Sequence, residues 1–248
     1  MRAFIQCTIS NNILEPINPN VFNAYKGLED MGFECVKFST LQDLADYYHS
    51  RGEIIVGGIG IIRKRLKAFD IDPITVDYPE ELKEFLGRTI QESTLSNIAN
   101  NPETWPIFIK SKEQKRITGK VIRNASDLVG LGYQEENPEI YISEVMDFVS
   151  EYRVFVRYGE VLDCKHYWGD PMVFPDAAII KAAISKYQSA PDAYGIDFAV
   201  TKEGKTVLIE VNDAWALGCY GLEMHLYAKF LITRWAQITN TIDEFFYI

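Results

Sequence analysis

The sequence predicts an α/β fold that takes on α+β character in its C-terminal part. Over roughly residues 1–75, strand-like and helix-like hydrophobic patterns alternate, the signature of parallel βαβ units. Beyond Pro106 the pattern changes to short strands in quick succession, most naturally antiparallel. The chain of 248 residues, 47% hydrophobic and 13% aromatic, is long and apolar enough for a sizeable ordered core.

Each element follows from local pattern. "MRAFIQCTI" alternates as a strand. "NPNVFNAYKGLEDMGF" sets Val21, Tyr25, Leu28 and Met31 at helical spacing, with Asn18 or Asn20 as N-cap and Gly32 as the stop. "ECVKFST" reads as a second strand, "LQDLADYYH" as a short helix, and "EIIVGGIGII" as a buried third strand entering a glycine turn. Gly57, Gly58 and Gly60 lack the third glycine of a dinucleotide fingerprint, since Arg63 stands there, and they follow the third strand rather than the first. A tight strand-to-helix turn accounts for them better. "YPEELKEFLGR" is expected to be a helix opening with Pro79, and "ESTLSNIANNPETWP" a polar connector. The strands "IFIKS", "GKVIR", "IYISEVM", "YRVFVRYG" and "VLDCKHYW" come next. A helix "DAAIIKAAISKYQ", a hairpin turning at Glu203-Gly204 and a last helix over about "GLEMHLYAKFLITRWAQIT" complete the chain. The expected division is an N-terminal α/β domain over 1–75 and a second domain over 76–248.

Composition excludes several classes. No apolar run reaches the ~18 residues of a membrane span, and "MRAFIQCTISNN" lacks the features of a secretory signal. A soluble, cytoplasmic protein without a membrane partner is expected. The net charge of −10 disfavours a broad nucleic-acid footprint. "RKRLK", Arg63 to Lys67, reads either as a solvated helix face or as a patch that gathers an anionic substrate. Cys7, Cys35, Cys164 and Cys219 form no CxxC pair and are expected as buried, reduced thiols. With His49, His166 and His225 equally scattered, zinc-ligand spacing is absent.

The hairpin holds the first candidate chemistry. Asp197 in "GIDFAV" and Glu210 in "LIEVND" lie about equally far from the turn, so they face each other across paired strands with Cβ atoms roughly 5 Å apart. Asn212, two residues on, shares the face of Glu210. A hard divalent cation such as Mg²⁺ would remove the repulsion between these acids. The alternative, in which both bind backbone or basic side chains on a wet surface, stays open at this point. Asp213 reads as a cap or turn residue. Lys110 ends "IFIK", Lys120 opens "KVIR", and Arg153 sits inside "YRVFV", where burial demands an anionic partner. Either lysine taken singly reads equally as a solvated strand end. Between them "SKEQKRITG" has the character of a flap over a phosphate chain. In "YISEVMDFVSEYRVFV", backbone beside Val145 and Met146 suits a base edge, and Glu151, seven residues after Glu144, suits ribose hydroxyls. Two surface glutamates on paired strands are the plainer account of the same pattern.

Taken together in order, these residues resemble the ATP-grasp superfamily from about Thr75 to the C-terminus, and Lys120 and Arg153 make the chain similar to its R2K clade. The resemblance implies an ATP-grasp fold preceded by a parallel α/β pre-ATP-grasp domain. It implies that Lys110 and Lys120 bind ATP phosphates. Glu144 with backbone of Val145 and Asp147 would bind adenine, Glu151 would bind ribose, and Asp197, Glu210 and Asn212 would hold Mg²⁺. Arg153 would bind the terminal phosphate or acyl-phosphate oxygens, with Lys165 of "VLDCKHYW" also facing the γ-phosphate. Two departures stand out. The flap is rich in lysine with a single Gly119, where many relatives have glycine-rich flaps, and Gly195 occupies a position where many have arginine. The implied activity is an ADP-forming carboxylate–amine ligase acting on small-molecule or peptide substrates. A phosphotransferase with a hydroxyl acceptor and a non-enzymatic nucleotide-binding protein are the competing readings.

Overall fold

The computed structural model describes residues 1–45, 47, 50–73, 77–112, 117–132 and 137–247. His49 and the centre of the flap, 113–116, lie outside them, as do 74–76, where the expected domain boundary falls.

In the N-terminal sheet, β1 (Arg2–Ser10) turns directly into β2 (Ile13–Pro16), and the two pair antiparallel. Asn11 and Asn12, at φ 49° and 62°, make the left-handed two-residue turn that closes such a hairpin. The sequence reading of this region as a purely parallel unit missed that hairpin. The remaining pairings are parallel as expected. Helix α1 (Pro19–Asp30) leads to β3 (Glu34–Phe38), which pairs with β1, and β4 (Ile54–Val56) pairs with β1 as well. Asn18 caps α1 by accepting from the Val21 N–H at 3.0 Å, and Gly32 ends it at φ 86°. The glycines after β4 lead into α2 (Ile59–Lys67), with Gly58 as N-cap. The basic run of α2 is not wholly solvated, because Arg65 is buried, stacked over Phe69 at 4.7 Å.

Two short expected helices are 3₁₀ turns, over Leu41–Leu44 and Glu80–Phe85. The expected connector is a correction. It contains β5 (Gln91–Thr94) and α3 (Leu95–Asn100), because Thr94 caps the helix and Leu95 and Ile98 bury one face. Its polar composition hid an amphipathic turn. With β6 (Ile107–Ser111), β7 (Lys120–Ile122) and β8 (Glu139–Ser143), β5 makes an antiparallel sheet ordered β5-β8-β6-β7.

A third sheet, ordered β10-β9-β11-β12, is also antiparallel. It comprises β9 (Phe148–Arg157), β10 (Glu160–Gly169), β11 (Ala193–Thr201) and β12 (Thr206–Asp213). Strand alternation gives it two unlike faces. Val154, Val156, Ile196, Phe198 and Leu208 form a core with α4 (Ala177–Lys186) on one. The other carries charge at its centre and, at one end, Phe155 packed edge-on to Phe230 of α5 (Met224–Thr239). Helix α5 shares one continuous core with the N-terminal sheet. No described helix is long and apolar enough to cross a membrane. Of the cysteines expected to be buried, Cys164 is exposed on β10 and Cys35 is half-buried; all four are free thiols.

Candidate active site

The charged face is ordered by strand register. Lys165 lies opposite Arg153, Arg153 opposite Asp197, and Asp197 opposite Glu210, one residue from each strand of the third sheet. Two cations therefore stand beside two carboxylates in a single row. The Asp197–Glu210 pairing expected from the turn is present, although its cause is subtler. Val200 faces Thr206 and Phe198 faces Leu208, so without further adjustment Asp197 would meet Ile209. A bulge at that point brings Glu210 opposite instead. Arg88 holds the bulge, donating to the carbonyls of Leu208 and Ile209 at 2.8 Å each.

Asp197, 1% exposed, receives a bidentate pair of hydrogen bonds from Arg153, Nε to Oδ1 at 2.8 Å and Nη2 to Oδ2 at 2.6 Å. Burial would lower the basicity of Arg153, but Asp197 outweighs it and raises it, so the guanidinium is always charged. Burial pushes the Asp197 carboxyl up, to about 6, against the pull of Arg153 and with Glu210 and Glu151 pushing the same way. Asn212 donates through its amide to Asp197 Oδ2 at 3.2 Å and to Glu210 Oε1 at 3.1 Å. Lys110 reaches over from β6 to bond Glu210 and, at 2.6 Å, Asp77. Burial works against its charge, and Glu210 with Asp77 reverses this and raises it. The same lysine holds Glu210 below the usual carboxylate range even though burial pushes the other way. Both acids thus have basic partners, as the metal-free alternative requires, yet Asp197 is buried and Glu210 half-buried rather than on a wet surface.

A cavity of about 680 Å³ separates the second and third sheets, with Lys110 on one wall and Glu210 and Asn212 on the other. Glu144, Val145, Asp147 and Glu151 also line it. The Glu144 carboxylate accepts from the Thr89 N–H at 3.0 Å, and the Asp147 carbonyl accepts from the Lys202 N–H at 3.0 Å. Glu151 is raised by burial and hydrogen-bonds Tyr167. Four candidates do not line this cavity: Arg153 and Asp197, which lie in the row beside Glu210, and the lysines Lys120 and Lys165. Lys120 pairs with Ile109, so it shares the apolar face of the sheet and donates to the Asp127 carbonyl instead. Lys165 keeps its place in the row, but its ammonium is turned to Asp163 at 2.7 Å.

A second cavity of about 650 Å³ opens on the far side of Glu210 and Asn212, between the N-terminal sheet and the third sheet. Its walls include Asn20, Gly57, Gly58, Arg153, Leu217 and Tyr220. This joins the glycine turn to the "NDAWALGCYGL" loop. Gly195 is glycine because a Cβ there would lie 2.5 Å from Leu217 Cδ2 and 3.4 Å from Arg153 Cδ. The Arg153 side chain thus passes over the position where many relatives have their own arginine. Its guanidinium stacks on Tyr220, 4.5 Å from the ring centre.

Sequence reasoning missed Asp77, Arg88, Tyr167 and Tyr220. Asp77 carried a signal, an acid just after an apolar run, but its role depends on Lys110 arriving from 33 positions on. Its carbonyl also accepts from the Val211 N–H, tying it to the strand between Glu210 and Asn212.

The donors at Asp197, Glu210 and Asn212 are all hard oxygen groups on one face, which fits Mg²⁺. The amide N–H that both carboxylates now share stands where a cation would serve them better. Two antiparallel sheets gripping a cavity, with a lysine on one and an acid pair on the other, define the ATP-grasp class. Residues 85–230 match the ATP-grasp domain, R2K clade family 2, and the chain belongs to that family. The fold is similar to D-cycloserine synthetase DcsG, at 12% identity and TM-score 0.56 over 94% of this chain and 99% of that one. It is similar to an L-amino acid ligase from Bacillus licheniformis, at 11% identity and TM-score 0.56 over 94% and 74%. The ATP-grasp ligase PsnB, complexed with a minimal precursor, is similar at 13% identity and TM-score 0.54 over 94% and 98%. At such identities the likeness is one of fold. No curated protein matches the chain by sequence.

Proposed function

We propose that the protein is an ATP- and Mg²⁺-dependent carboxylate–amine ligase that works through an acyl phosphate and releases ADP and phosphate. The reading rests on the meeting of two cavities at Glu210 and Asn212, beside the row of Arg153 and Asp197. Residues 76–248 act as the ATP-grasp domain, and residues 1–75 as the pre-ATP-grasp domain that closes the second cavity. ATP lies in the first cavity. Glu144 and the backbone around Val145 and Asp147 meet the base, and Glu151 accepts from the ribose hydroxyls. Lys110, held between Asp77 and Glu210, supplies a positive charge to the phosphates. Asp197, Glu210 and Asn212 would hold Mg²⁺, which would supply positive charge against the charge developing on the phosphates.

Arg153, on the wall of the second cavity, orients the second substrate's carboxylate toward the γ-phosphate. A carboxylate oxygen bonds to the γ-phosphorus as the bond to the bridging oxygen of ADP breaks. The amine nitrogen then bonds to the acyl carbon, phosphate departs, and the amine proton passes to solvent. No nucleophilic side chain is needed, and positioning and electrostatics carry the rate. An acceptor screen for phosphate release from Mg-ATP, followed by mass spectrometry of the product, tests this. Free phosphate with an amide is expected; a phosphate ester would assign the protein to the phosphotransferases instead. A melting temperature unmoved by Mg-ATP would remove the premise altogether.

A further inference from the structure

The second cavity differs in kind from the first. Among the described residues that line it, Arg153 and Glu210 alone carry charge; Asp197 takes Nε and Nη2 of Arg153, and Lys110 pairs with Glu210. Glu210 marks the mouth shared with the first cavity, and Arg153, in the same row of strands, lines the second cavity. Away from that mouth the wall is hydrocarbon and aromatic, with Ile54 of β4 and Leu231 and Trp235 of α5 at its inner end. These are buried apolar residues of the main core, so a charge placed among them loses hydration and finds no partner on that wall. Two amides of the lining are already engaged. Asn20 Oδ1 accepts from the Cys219 N–H at 3.0 Å, and Asn18 caps α1. Trp215 lines both cavities, and its buried indole N–H has no partner among the described residues, which leaves a donor for a ligand oxygen.

Resting on the ligase reading above, we infer that this cavity takes an acyl donor with one carboxylate on an apolar body, and no second charge at its far end. The carboxylate stays at the mouth, on Arg153, and the body runs inward along Leu217 toward Leu231 and Trp235. Apolar pockets with a few convergent polar groups select in this way, by leaving the wrong ligand's charge unpaired.

The test uses the full chain with Mg-ATP and three acids of equal length: octanoate, octanedioate and 8-aminooctanoate. Binding is read from the tryptophan fluorescence of Trp215 and Trp235. Turnover is read by adding hydroxylamine as the amine and measuring hydroxamate. Octanoate is expected to bind at least about 100-fold more tightly than either acid charged at its far end, because burying an unpaired charge costs several kcal/mol. Equal binding of all three, or binding of none, overturns the inference. Selective octanoate binding with no hydroxamate from any acid leaves the cavity's chemistry standing and overturns the acyl-phosphate reading instead. Leu231→Glu, at the inner end, is expected to shift preference toward 8-aminooctanoate by about tenfold; Ile54→Asp, at the same end, repeats the test should Leu231→Glu melt early. An unchanged order of preference in a folded variant counts against the inference.

Discussion

The two cavities meet at the same residues yet are built from opposite materials. The first is framed by charge, with Lys110 and Glu210 fixed by strand register and Asp77 and Glu144 on the loops beside them. The second is framed by loops, a glycine turn and core side chains, with charge only at its mouth. The contrast teaches a division of labour. Fixed charges on a rigid sheet suit a step in which phosphate charge moves, and a neutral wall suits a choice among organic bodies. Substitutions on the charged side should change rate for every substrate, and those on the neutral side should change which substrate is used.

The strongest break is expected at Asp197. Asp197→Asn should lower turnover with Mg-ATP by about 1000-fold, the several kcal/mol that a bound metal ion contributes. Asp213→Asn, by contrast, should affect stability and leave turnover near wild type. Asp213 caps the turn at Trp215 and pairs with Arg234 rather than facing the acids. Comparing steady-state rates and melting curves of the two variants checks this. Equal losses of rate would remove the case for a metal site at Asp197.

Next in size is the contrast between the lysines. Lys110→Met should reduce kcat/KM for ATP by roughly 30-fold, as expected for a lost charge-assisted contact. Lys120→Met should change it by less than about threefold, since its ammonium is spent on a backbone carbonyl on the other face. A large ATP effect at Lys120 would mean that the lysine reaches the phosphates by a rearrangement of β7.

The smallest effect belongs to Gly195. Gly195→Ala should cost about 1–2 kcal/mol, or roughly 2–6 °C in melting temperature, as Leu217 gives way to the added Cβ. Its kinetic effect should fall on the KM of the second substrate more than on that of ATP, because Arg153 and Leu217 both border the second cavity.

The same contrast governs how much could be read from the sequence. Asp197, Glu210 and Asn212 were legible because strand alternation is a strict rule and the hairpin turn is short. Even there the right pair emerged only because a bulge near Ile209 offset a turn centred slightly earlier than expected. Lys120 is expected at the phosphates from its order in the chain, whereas strand parity with Ile122 sets it on the face of the apolar core. The polar stretch around Leu95 reads as a connector because only two of its side chains, Leu95 and Ile98, are buried in α3. The inner end of the second cavity was illegible. Its walls are core residues such as Leu231 and Trp235, and no local pattern distinguishes a core residue that borders a cavity from one that does not.

The central claim, that Mg-ATP activates a carboxylate as its acyl phosphate, is tested most directly by oxygen transfer. Once the acceptor screen has supplied a substrate, its carboxylate is labelled with ¹⁸O and the released phosphate is analysed by mass spectrometry. The account predicts that carboxylate oxygen appears in the phosphate at every turnover. Phosphate free of label, with amide still formed, would contradict it.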